Sequence, residues 1–107
     1  MRTAELNELI EKACNRFEVD PALVKSPNRG RMEVTDMRHV LIFTIRNCCP
    51  FYSLKSIGQM FGGRDHSTVI NSITKSMNYM QTDPIYRDKV YQVQEIADQI
   101  KNKFGGN

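Results

Sequence analysis

The chain has 107 residues, 40% of them apolar and 25% charged, with a formal net charge of +3. That is room for one domain around one hydrophobic core, and the lack of Trp with only four Pro and six Gly argues against a turn-rich sandwich and for an all-α fold. Its three cysteines, two of them adjacent, show no CxxC or Cys/His ligand spacing, which argues against a disulfide framework or a metal site and for free thiols in a reducing cytoplasm.

In chain order, Ala4 to Phe17 reads as the first helix, with Leu6, Ile10, Ala13, Cys14 and Phe17 at three- and four-residue spacing. This N-terminus lacks the basic start and apolar run of a secretion signal, and no segment approaches the roughly 20 apolar residues of a membrane span. Asp20-Pro21 places a cap before a Pro at the first helical position, so Pro21 to Val24 is expected as a short helix. Lys25 to Glu33 (KSPNRGRME) reads as an exposed loop. Thr35 is expected to cap a helix running to about Asn47. Its broad apolar set (Met37, Val40, Leu41, Phe43, Thr44 and Ile45) marks it as the central buried helix.

A turn around Pro50, from Cys48 to Tyr52, leads to Ser53, which caps a helix to about Phe61 with Leu54, Ile57 and Phe61 inward. Gly62-Gly63-Arg64 is a tight turn. Asp65 then caps a helix from His66 to about Met80, with an inner stripe of Val69, Ile70, Ile73, Met77 and Met80. Asp83-Pro84 repeats the cap-plus-Pro signal. The last helix runs to about Phe104, with Ile85, Val90, Val93, Ile96, Ala97 and Ile100 inward, Tyr86 and Tyr91 half-buried, and Lys103 to Asn107 frayed. The expectation is five or six helices in one domain over 1–107.

The charge is unevenly spread. From Lys25 to Lys75 eight basic residues stand against three acids, a net +5, while the rest of the chain carries seven bases and nine acids. A basic middle between acidic flanks suits a phosphate-facing surface, and it also suits a solvated face with no partner. The segment from Ser53 to Lys75, SLKSIGQMFGGRDHSTVINSITK, is more informative. Two helices joined by a short Gly-containing turn form a helix-turn-helix, whose second helix presents its N-terminal residues to base edges in the major groove. Here those residues are Asp65, His66, Ser67 and Thr68, all polar and none suited to a core. An Asp accepts from a cytosine amino group, a Thr methyl meets a thymine methyl, and the helix N-terminus attracts phosphate.

The run from Phe61 to Ile70, with its unbroken GGRDHSTV, together with Ile57-Gly58, Ser72 and Lys75, resembles the signature of the C-terminal DNA-binding domain of the bacterial DnaA initiators. The resemblance extends more loosely from about Leu6 to Met80. It implies a Trp-repressor-like helix-turn-helix that binds double-stranded DNA in replication initiation or its regulation. It also implies that Asp65, His66, Ser67 and Thr68 read the major groove. Arg29 or Arg31 would enter the minor groove, with Arg29 favoured by matching Arg-Gly-Arg to the family's Arg-x-Arg. Arg38, Arg46, Ser53, Lys55, Arg64, Asn71 and Lys75 are the implied contacts to the DNA backbone.

There are departures from the family pattern. Asp36-Met37 stands where the family carries Arg-Pro, Glu33 adds an acid, and one residue is inserted around Cys48 to Tyr52. Fewer phosphate contacts imply weaker, less salt-resistant binding. No GxxxxGK[ST] loop occurs, so the nucleotide-binding AAA+ engine of a full initiator is not encoded here. The chain is expected as a stand-alone domain of this type or a piece of a longer one. No nucleophile with an adjacent base, carboxylate pair or ligand cluster is visible, so the expectation is a cytoplasmic, non-enzymatic binder, monomeric alone, with no cofactor, no metal and no membrane contact, and with room for a protein partner in replication or regulation. The rival reading, motivated by Glu33 and Asp36, is a protein-interaction module or transcriptional regulator that kept the fold with altered or lost DNA specificity.

Overall fold

The computed structural model describes residues 1–105. Among the described residues six helices follow one another: α1 (Thr3–Arg16), α2 (Pro21–Val24), α3 (Met32–Cys48), α4 (Leu54–Met60), α5 (His66–Thr82) and α6 (Pro84–Gly105). None is long and apolar enough to cross a membrane. Local chemistry sets most boundaries. Asp20 accepts from the Ala22 N–H at 2.9 Å, Ser53 from the Ser56 N–H at 3.0 Å, and Asp65 from the Thr68 N–H at 2.9 Å. Each cap satisfies one of the orphan donors at a helix start.

The core is one cluster. α1 contributes Leu6, Leu9, Ile10, Ala13 and Cys14, and α3 runs through the centre with Val34, Met37, Val40, Leu41, Ile42 and Ile45 buried. α6 closes it with Val90, Val93, Ile96, Ala97 and Ile100. Cys14 and Cys49 are buried, Cys48 is half-buried, and all three are free thiols.

Four expectations from the sequence need correction. First, α3 begins at Met32 behind Arg31, not at Thr35. The earlier start buries Val34, and the Thr35 hydroxyl donates instead to the Arg29 carbonyl at 3.0 Å. Second, the inner stripe of α5 is rotated. Ile70 is 46% and Met77 51% exposed, while Ser72 and Ser76 are buried beside Val69. A buried hydroxyl is tolerable when it is hydrogen-bonded. Ser72 Oγ lies 2.8 Å from His39 Nδ1, and Ser76 Oγ donates to the His39 carbonyl at 3.0 Å while meeting Tyr86 Oη at 2.6 Å. Third, on α6 Ile85 faces solvent at 79% exposure, Tyr86 is buried in its place, and Tyr91 is exposed. Fourth, the helix does not fray at Lys103, which is helical and pairs with Glu8 at 3.7 Å. The last two residues of the expected frayed end lie outside the described residues.

Candidate nucleic-acid interface

α4 and α5 are joined by a turn that only glycines allow. The Gly58 carbonyl accepts from the N–H groups of Phe61, Gly63 and Arg64 at 3.0–3.1 Å, which folds the turn back over α4. A Cβ on Gly58 would strike the Arg64 carbonyl. Gly62 has φ +88°, and a Cβ there would sit 2.5–2.7 Å from the Ser26–Pro27 backbone. The turn is thus pressed against the basic loop, and this contact brings the two separate sequence signals to one face.

At the start of α5, Asp65, His66 and Ser67 are exposed and Thr68 is half-buried. The Asp65 carboxyl is held below its ordinary range, chiefly by the Thr68 N–H and then by the Thr68 hydroxyl. A carboxylate has about four acceptor positions, so a further donor can be accepted alongside the cap. Beside this helix start an open cleft runs between the loop, α3 and α5, lined by Arg29, Arg64, Thr68, Asn71 and Lys75 among others. These residues are far apart in sequence, and the fold gathers them. Arg31 is exposed at the N-cap of α3. Arg46, Ser53 and Lys55 do not line the cleft. They lie around the α3–α4 connection: Arg46, in the last turn of α3, donates from Nη1 at 3.4 Å to the carbonyls of Pro50 and Tyr52, Ser53 caps α4, and Lys55 is in the first turn of α4.

Arg38 corrects the sequence reading. It is 3% exposed, and its guanidinium donates to the carbonyls of Val24 (3.0 Å), Arg29 (3.1 Å), Leu23 (3.0 Å) and Asn28 (3.1 Å). Four of its five N–H donors are engaged within the protein. It therefore holds the loop and is not a free phosphate contact. Burial, and then the neighbouring Arg64 charge, push its pKa down to about 10. Arg64 is half-buried and likewise turned inward, donating from Nη2 to the carbonyls of Ser26 and Asn28 at 3.1 and 3.2 Å. Burial lowers its pKa as well.

The sequence reading missed His39, which lines the cleft next to Ser72. Burial pushes its pKa down to about 4, reinforced by the Lys75, Arg38 and Arg64 charges. A signal for it existed. Thr35, Arg38 and His39 on one helix, and Thr68, Asn71, Ser72 and Lys75 on another, are polar sets at helical spacing, and they are the two walls of the cleft.

The model of the bacterial dnaA protein helix-turn-helix matches residues 6–75, from the first helix through the cleft wall of α5. The chain belongs to the DnaA helix-turn-helix family. Relatives match over 71–95% of the chain. The chromosomal replication initiator protein DnaA of Wolinella succinogenes is 32% identical over 99 residues, 92% of this chain and 21% of that protein. That of Bacteroides thetaiotaomicron is 24% identical over 102 residues, 95% of this chain and 21% of the relative. That of Thermus thermophilus is 34% identical over 76 residues, 71% of this chain and 17% of the relative. The chain therefore spans about a fifth of the length of the curated DnaA relatives it matches.

Proposed function

We propose that this chain reads a short duplex DNA site and serves replication initiation or its control, as the names of its relatives suggest. One observation carries the reading: the polar start of α5 (Asp65 to Thr68) stands beside a cleft edged by Arg29 and Lys75. Side chains suited to base edges and cations suited to phosphate then share one face. In this reading His66, Ser67 and Thr68 meet bases in the major groove, Asp65 combines its cap with a base contact, and Arg29 or Arg31 reaches the minor groove. Lys75 and Asn71 grip the backbone, Lys55 and Arg46 extend that grip along α3–α4, and no catalysis is involved.

Duplex titration tests it. A site enriched from a random duplex pool is bound by the wild type and by variants at two salt concentrations. With about four or five cations facing phosphate, log K falls with log salt at a slope of about −4. His66→Ala or Thr68→Ala costs about 1–3 kcal/mol on the enriched site and little on random duplex, whereas Lys75→Ala weakens both DNAs and reduces the slope by about one. A flat salt dependence, or equal losses of the His66 and Thr68 variants on both DNAs, would overturn this reading in favour of a protein-interaction module.

A further inference from the structure

The loop from Lys25 to Arg31 has a tied-down backbone from which the Arg29 and Arg31 side chains stand exposed. The Asn28 N–H bonds to Ser26 Oγ at 3.0 Å. The carbonyls of Leu23, Val24, Asn28 and Arg29 accept from Arg38, those of Ser26 and Asn28 from Arg64, and that of Arg29 also from Thr35. Two guanidiniums from different elements, one on the central helix and one on the turn before α5, thus converge on the same Asn28 carbonyl. Gly62 presses the same turn against Ser26 and Pro27. Arg29 and Arg31 themselves remain exposed.

The arrangement is costly by itself. Both ion pairs among the described residues centre on Glu8, so neither Arg38 nor Arg64 has a carboxylate partner. The Arg64 Nε is buried without a hydrogen-bond acceptor. Two like charges held together by carbonyl dipoles are a poor way to gain stability. They are an effective way to fix one element against another, because a planar guanidinium fork constrains direction as well as distance.

We infer that Arg38 and Arg64 are positioning residues: a paired clamp that locks the Arg29-bearing loop to the N-terminus of α5, so that groove-reading side chains on two elements meet DNA at a preset spacing. The inference rests on the DNA-binding reading and deepens it. Its physical benefit is preorganisation, since a loop ordered before binding loses less conformational entropy on binding. Arg64 acts through Arg29 in this scheme and does not itself grip a phosphate.

The test uses Arg64→Lys, which keeps the charge and loses the fork, with Arg38→Lys as its partner in case the first variant is silent through local adjustment. Hydrogen exchange is followed at the Lys25, Ser26 and Asn28 amides and, as a control on global folding, along α6. The clamp predicts at least tenfold faster exchange at the loop amides in either variant with α6 unchanged. Unchanged loop exchange in both variants overturns it, and so does acceleration equal in the loop and α6, which is plain destabilisation. A double-mutant cycle on the enriched duplex then asks whether Arg64 works through Arg29. The clamp predicts that Arg29→Ala costs at least fivefold less affinity in the Arg64→Lys background than in the wild type, with the salt slope retained. Additive losses overturn the positioning role. A wild-type chain that binds no duplex overturns the proposed function alone, and the exchange result still decides the clamp.

Discussion

The two sides of the molecule are held together by different physics. On one side α1 packs on α6 through aliphatic side chains such as Leu9, Ile10, Val93 and Ala97, all fully buried. On the other, α5 adds Val69 to the same core but also meets α3 through hydrogen bonds of His39, Ser72 and Ser76, and the basic loop is tied down by guanidinium–carbonyl bonds. Aliphatic contacts are non-directional and stabilise roughly in proportion to area. The polar seam contributes less net stability per bond but fixes geometry, because a hydrogen bond fails when its angle does. The face that carries the candidate site adds directional bonds to its share of the common core, and the opposite face is joined by aliphatic packing.

The largest expected effect tests the apolar side. Leu9→Ala removes a fully buried side chain and is expected to cost about 2–5 kcal/mol in denaturant unfolding, with the affinity for duplex per folded molecule unchanged. A loss of affinity in the folded fraction would show that the two sides are not separable.

Next comes the acid dependence of the seam. His39 has its pKa lowered from 6.5 to about 4 by burial and then by the Lys75, Arg38 and Arg64 charges. The unfolded chain takes up this proton near pH 6.5 and the folded chain only near 4, so stability falls as pH drops through that window and is fully present above it. The shift corresponds to about 3 kcal/mol. His39→Gln should flatten the dependence of stability on pH between 6.5 and 4, and an unaltered slope in that variant would assign the acid sensitivity to other groups.

The smallest effect sharpens the comparison at the exposed cap. Asp65→Ala should lower the melting temperature by a few degrees through loss of the bond to the Thr68 N–H. Asp65→Asn should retain most of that stability while changing base preference. Because the Asp65 pKa is lowered, its contribution is present at neutral pH and is lost as pH falls through the folded-state pKa. Identical behaviour of the Ala and Asn variants in melting and in binding would remove the dual role of this residue.

The amino-acid sequence alone determined the helical elements, because caps and periodicity are local: Asp20, Ser53 and Asp65 before their helices, and the GGRDHSTV run that places a helix-turn-helix. It also determined the stretch of the chain that carries the candidate site, since charge and motif are written residue by residue. Tertiary structure alone decided which polar side chains face inward. Ser72 and Ser76 look like surface residues until His39 and Tyr86 arrive as partners, and Ile70 and Met77 look like core until those serines take the inner face of α5. It likewise decided that Arg38 and Arg64 turn inward to the loop. A cation's partner is set by which carbonyls the fold brings within about 3 Å, and that proximity between residues 9 to 38 positions apart is not encoded in any local spacing.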